Sequence, residues 1–287
     1  MTTTIQAGIL GIGSYLPERR LTNADLEKIV ETSDDWIVSR TGIHERRIAA
    51  EGENTSDLAA AAARKAAENA GIALSEIDLI LVATVSPDTP MPSTACWVQA
   101  KLGLGNVPAF DLSAACAGFV YGLTVAKALV ENGTFRHVLL IGAERLSSFV
   151  DWTDRATCVL FGDGAGAAII GPTQGDRGRI LSAQLGANGN DAKLLIIPGG
   201  GSSRIASVET VQQRLHFIKM QGQEVFKIAV KVMEGTLLEA LRKADLTAEK
   251  LDWLIPHQAN LRIIMALAHR MEFPMEKVFL NVGRVGN

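Results

Sequence analysis

Cysteine is scarce in this sequence: three among 287 residues, Cys96, Cys116 and Cys158, an odd number with no C-x-x-C spacing. That excludes a disulfide framework and a cysteine-built zinc site, and the thiols are expected to be reduced. Aromatic residues are few, at 5%, and the net charge is −3, so the basic face with stacking rings that marks a nucleic-acid binder is missing. No run approaches the ~18 apolar residues of a membrane span. The opening MTTTIQAGILGIG lacks the basic start and small-residue cleavage site of a secretory signal. The expectation is a cytoplasmic protein with no nucleic-acid or membrane partner.

What is present is apolar and ordered. Hydrophobic residues make up 47% of the chain, and its length suits one large domain or two fused ones. Apolar runs such as IDLILVATV (77–85), HVLLIGA (137–143) and ATCVLFGDGAGAAIIG (156–171) alternate with helical stretches such as SDLAAAAARKAAENA (56–70). That alternation predicts an α/β layering with buried strands. The polar, Gly-rich stretch 171–203 reads as a junction.

Sliding the sequence against itself by 174 positions sets AAENAGIALSEID (66–78) on ALRKADLTAEKLD (240–252) without a gap. Each copy ends a helix, turns and starts an apolar strand. A helix (93–103 and 260–271) and a further strand, VPAFDL (107–112) and KVFLNV (277–282), follow in both. Two similar halves, 1–172 and 173–287, are the organising expectation.

Sites in open α/β sheets gather at the carboxyl ends of strands, which singles out Cys116, His257 and Asn287. Cys116 lies in DLSAACAGF (111–119), between a strand and the helix AGFVYGLTVAKALVENG. There the helix dipole and free N–H groups favour thiolate, and the small neighbours leave room for a carbonyl. Two readings stand for it: a nucleophile on a strand-to-helix elbow, or a small core hydrophobe. Cys96 and Cys158 read as structural. His257, in IPHQAN, is placed to donate to an oxyanion or shuttle a proton, or else is a satisfied structural residue, while Asn260 is set to cap the helix that follows. The glycines of GILGIGSYLPER (8–19) and FGDGAGAAIIGP (161–172) break the dinucleotide-binding pattern and read as strand-end turns.

TSDDWIVSRTGI (32–43), DLSAACAGF (111–119), DRATCVLFGDGAGA (154–167), GQEVFKIAV (222–230) and PHQANLRI (256–263) together closely resemble the β-ketoacyl-[acyl carrier protein] synthase III family of the thiolase superfamily. The resemblance implies a thiolase-like, five-layered α/β/α/β/α fold from two duplicated halves. The first half, 1–172, would carry the nucleophile. The second, 173–287, would carry His and Asn and be incomplete, since the family continues past Asn287 with a glycine loop bearing an oxyanion-hole amide. The resemblance further implies Cys116 as acyl-accepting nucleophile, with His257 and Asn287 completing a Cys-His-Asn site. Trp36, Arg40, Arg155, Gly222, Phe226, Ala259 and Arg262 would line the coenzyme A entrance, with Asn260 supporting the active-site side chains. It implies an acyltransferase that condenses acetyl-CoA or another short acyl-CoA with malonyl-acyl carrier protein, losing carbon dioxide. The product is a 3-oxoacyl-acyl carrier protein that starts fatty-acid synthesis. No metal or redox cofactor is expected; coenzyme A enters as substrate. Lys227 and Arg262 could dock the acidic carrier, and MPSTACWVQA (91–100) matches a homodimer interface segment where Met91 would bear on acyl length. Two alternatives remain: a secondary-metabolism synthase with another acyl donor, or a truncated inactive paralogue that only binds.

Overall fold

The computed structural model describes residues 5–175 and 178–287. Met1–Thr4, in the N-terminal stretch read above, and Asp176 and Arg177, in the junction, lie outside them. The chain forms two compact units that interleave along the sequence: one from segments Met1–Glu18, Ala49–Arg145 and Asp163–Ala183, the other from Arg19–Ile48, Leu146–Gly162 and Gln184–Asn287.

In the first unit, five strands form one mixed sheet in the spatial order Ala7–Tyr15, Asp163–Pro172, Val138–Arg145, Leu79–Ala83, Ala109–Leu112. Leu79–Ala83 runs parallel to both of its neighbours, and all five of its residues are buried. A parallel strand covered on both faces needs this continuous apolar run. Its side chains alternate between two cores. Ile80 and Val82 pack with Leu58, Ala59, Ala62, Ala63 and Ala66 of helix Thr55–Ala70. Leu79 and Leu81 pack with Ala126 and Val130 of helix Gly118–Glu131. Helices on opposite faces of one sheet make this unit an α/β/α sandwich.

The glycines of 8–19 and 161–172 correct the sequence reading. Gly8, Gly11, Gly13, Gly164, Gly166 and Gly171 lie within strands Ala7–Tyr15 and Asp163–Pro172, not in strand-end turns, and only Gly162 stands just before its strand. The reason is packing: a Cβ on Gly13 would stand 2.3 Å from the Ala66 nitrogen and 2.4 Å from the Ala62 oxygen. The alanine face of helix Thr55–Ala70 rides on bare backbone.

The repeat recurs bond by bond. Gly71, at φ +67°, and Asp245, at φ +56°, both take the left-handed conformation. The Ile72 N–H donates to Ala67 O at 3.0 Å, and the Leu246 N–H donates to Leu241 O at 3.0 Å. Short 3₁₀ turns follow at Leu74–Glu76 and Ala248–Lys250. Parallel pairing then joins Ile80 to Ala109 and Leu254 to Val278. The two copies part at that point. The strand read over 277–282 contributes one bridge at Val278, and Val282 already starts a short helix, Val282–Val285. The Asn281 and Val282 N–H groups donate to Gln258 Oε1 instead of to a neighbouring strand, at 3.0 and 3.2 Å.

The second unit gathers Leu26, Ile37, Ile43, Cys158, Phe161, Ile264 and Leu267 into one core. Its helices Gly222–Lys243 and Leu261–Arg270 are tied by Arg270 Nε donating to Glu234 Oε2 at 2.6 Å. Among the described residues no helix is long and apolar enough to cross a membrane.

Candidate active site

Cys116 sits where the sequence puts it, between strand Ala109–Leu112 and helix Gly118–Glu131, in the 3₁₀ turn Ala115–Ala117. Ala115 has φ +45°, a conformation that costs a non-glycine residue on the order of 1 kcal/mol and persists only where surroundings impose it. One constraint comes from Gly118, whose added Cβ would stand 3.0 Å from the Ala83 Cβ. The helix therefore starts hard against the sheet, and the turn is compressed. Asp111 braces the preceding strand by accepting from the Thr94 and Ala95 N–H groups at 2.7 and 2.8 Å. Its carboxylate caps helix Thr94–Leu102, which Ser93 leaves without a side-chain cap.

Cys116 is exposed as a residue, yet enough protein surrounds its thiol for burial to matter. Desolvation, and then the charge of Glu144, push its pKa up. Both influences oppose the preference for thiolate expected at this helix start and favour the thiol. Glu144 escaped the sequence reading. Its carboxylate accepts from Ser86 Oγ at 2.5 Å, the Val85 N–H at 2.9 Å and Thr84 Oγ1 at 3.3 Å. Burial raises its own pKa against those bonds. No periodicity exposes such a pairing, because Glu144 ends an apolar run and looks like the polar stop of a strand.

In the second unit, His257 follows buried Pro256. The residue is exposed as a whole, yet its ring is surrounded enough for desolvation to lower its pKa. That favours the neutral ring, in which one nitrogen can donate and the other accept. Asn260 caps helix Leu261–Arg270, its Oδ1 accepting from the Ile263 N–H at 2.9 Å. Gln258, quoted in the motif but given no role, is the clamp of this region: Nε2 donates to Pro256 O and Phe279 O at 3.1 and 3.0 Å, while Oε1 takes the two N–H groups that begin the Asn281 turn. That turn leads to Asn287, whose N–H donates to Leu160 O at 2.9 Å and whose carbonyl accepts from the Gly162 N–H at 3.0 Å.

Three of the expected entrance residues come together. The Arg40 and Arg155 guanidinium carbons stand 4.5 and 4.7 Å from the Trp36 ring centroid. Ser33 caps the helix that carries Trp36, and Arg155 Nη1 donates to Glu31 O at 3.0 Å. A second group pairs Arg262 with the Phe226 ring at 5.7 Å. Gly222 opens helix Gly222–Lys243, Ala259 lies in the loop before Asn260, and Lys227 is engaged by Glu224 at 3.1 Å. No group of three or more His, Cys, Asp or Glu side chains among the described residues could hold a metal ion.

Residues 110–189 match the family model described as 3-oxoacyl-[acyl-carrier-protein] synthase III, and residues 241–287 match the model of its C-terminal part. A β-ketoacyl-[acyl-carrier-protein] synthase III of Caldanaerobacter subterraneus subsp. tengcongensis is 55% identical over 287 residues, all of this chain and 86% of the relative. The chain belongs to the synthase III family. Solved structures agree. The 3-oxoacyl-[acyl-carrier-protein] synthase III of Aquifex aeolicus VF5 superposes with a TM-score of 0.89 at 47% identity, over 98% of this chain and 86% of that one. Its Pseudomonas aeruginosa PAO1 counterpart gives 0.90 at 39%, over 98% and 84%. The synthase III fold, and with it the thiolase-like class read from the motifs, is therefore established.

Proposed function

We propose that this synthase III family member is an acyltransferase whose Cys116 takes an acyl group, acetyl in the simplest case, from coenzyme A and passes it to malonyl-acyl carrier protein. The observation that carries the proposal is the Cys116 thiol on a strained strand-to-helix turn, in a chain 55% identical to a β-ketoacyl-[acyl-carrier-protein] synthase III over its whole length. In the first step the thiolate attacks the acyl thioester and coenzyme A leaves as its thiol, giving an acyl-enzyme. Because the resting thiol is held protonated, a base must take its proton as substrate binds, and neutral His257 suits that task.

In the second step the malonyl thioester loses carbon dioxide, and its enolate carbon displaces Cys116 from the acyl group. Donation from His257 and Asn287 to the malonyl thioester oxygen stabilises the developing charge, each such donor being worth about 10²–10³ in rate. Trp36, Arg40 and Arg155 offer an aromatic face with two cations, which suits the base and phosphates of coenzyme A. Gly222, Phe226, Ala259, Asn260 and Arg262 complete the entrance in this reading. Exposed Met91 and half-exposed Trp97 support a second copy docking at MPSTACWVQA, and the exposed cations Arg262 and Lys227 support an acidic carrier.

The same identity over the full chain favours this reaction over a secondary-metabolism synthase or a binding-only paralogue. Intact-mass measurement after incubation with acetyl-CoA tests the proposal. The parent should gain one acetyl group and Cys116→Ala none; acetylation of both, or of neither, would overturn the assignment.

A further inference from the structure

Arg46 has no accessible surface at all. Taking a guanidinium out of water is costly unless charges and hydrogen bonds answer it; Glu45 offers its charge through space, but among the described residues none of the hydrogen bonds of Arg46 goes to a carboxylate. Nη1 donates to Leu21 O, and Nη2 donates to Asn23 Oδ1 and Val159 O, each at 2.9 Å. Nε finds no partner among the described residues. A cation kept at such expense for three neutral acceptors needs a reason.

The reason lies in what those acceptors hold. Val159 adjoins the short segment that Asn287 clasps, through the Asn287 N–H on Leu160 O and the Gly162 N–H on Asn287 O. The stem of Arg46 lies beneath the same place. A Cβ on Gly286, which has φ +80°, would come within 2.9 Å of the Arg46 Cβ, and one on Gly162 within 3.3 Å. The arginine thus supports the Asn287 turn from below and fastens the segment beside it to Leu21 and Asn23.

We infer that Arg46 is a positioning residue for Asn287: by fixing the segment Val159–Gly162 it sets where the Asn287 side chain presents its amide during condensation. The inference rests on the reading of Asn287 as a donor to the malonyl thioester oxygen. It separates the two half-reactions, because transfer of the acyl group to Cys116 does not call on Asn287 in that reading.

The test uses the full chain as parent, Arg46→Lys, Arg46→Met and Asn287→Ala, with thermal melts to establish folding. Acetylation of Cys116 by acetyl-CoA is followed by intact mass. Condensation is followed by adding malonyl-acyl carrier protein to the acetylated protein. Both Arg46 variants should acetylate within about twofold of the parent and condense at least about tenfold more slowly, since displacement of a catalytic group by about 1 Å can cost about 10²-fold. Lysine, with one point donor in place of a fork, should retain more condensation than methionine.

Condensation within twofold of the parent while Asn287→Ala abolishes it would overturn the inference, and so would equal losses in both half-reactions, the mark of a general structural role. If Asn287→Ala itself condenses normally, the reading of Asn287 has failed and this inference falls with it. A parent that acetylates but does not condense overturns it too. If neither Arg46 variant folds, Gly286→Ala, which presses on the Arg46 Cβ and Leu160 O from the other side, decides by the same ratio.

Discussion

The Glu144 carboxylate raises the proton affinity of the Cys116 thiol, adding its charge to the effect of burial. An anion beside a thiol penalises the thiolate, so reactivity toward an alkylating agent should climb only at a pH above that of an ordinary cysteine. Glu144→Gln keeps an acceptor for Ser86 and Val85 but removes the charge. The midpoint of Cys116 alkylation by iodoacetamide should then move to lower pH, and an unmoved midpoint would show that burial alone governs the thiol.

Trp36 presents one ring to two guanidiniums, Arg40 and Arg155. Cation–ring attraction of this kind is worth about 1–2 kcal/mol where solvent is partly excluded. On the proposed role at the coenzyme A entrance, Trp36→Ala should raise KM for acetyl-CoA roughly tenfold and leave kcat nearly unchanged. The alkylation rate of Cys116 should not change, which distinguishes loss of binding from disturbance of the thiol.

Gly13 and Gly166 share a sheet but face opposite fates. A Cβ on Gly13 meets the backbone of helix Thr55–Ala70 at 2.3 Å, whereas one on Gly166 meets nothing within 4 Å. Gly13→Ala should lower unfolding stability by about 3 kcal/mol or prevent folding, because backbone cannot give way as a side chain does. Gly166→Ala should be neutral or add up to about 1 kcal/mol through the unfolded chain. Chemical denaturation of both variants checks this, and equal effects would refute the packing account.

Much of the first unit was legible before any coordinates. Leu79–Ala83 is apolar at every position because both faces are covered, and helix Thr55–Ala70 declares itself by its alanine face and its end at Gly71. The repeat at 174 positions survived as matching turns, since a helix end, a left-handed residue and a 3₁₀ turn are local events set by neighbouring residues. The glycine-rich strands were misread as turns, because glycine signals both a bend and a close approach. Only the partner, here the backbone of Ala62 and Ala66, tells the two apart.

The site divides along the same line. By itself the sequence determined the turn that carries Cys116, the Asn260 cap and the motifs that mark the family, since each is a short, local stretch of chain. Tertiary structure alone decided that the Glu144 charge acts on Cys116, that Arg155 joins Trp36, that Gln258 grips the Asn281 turn and that Arg46 lies under Gly286. These pairs are separated by up to hundreds of residues, and neither hydrophobic period nor local propensity carries information over that distance. They exist because packing the cores leaves particular polar groups out of water, where each must find its partner among whatever the fold brings near.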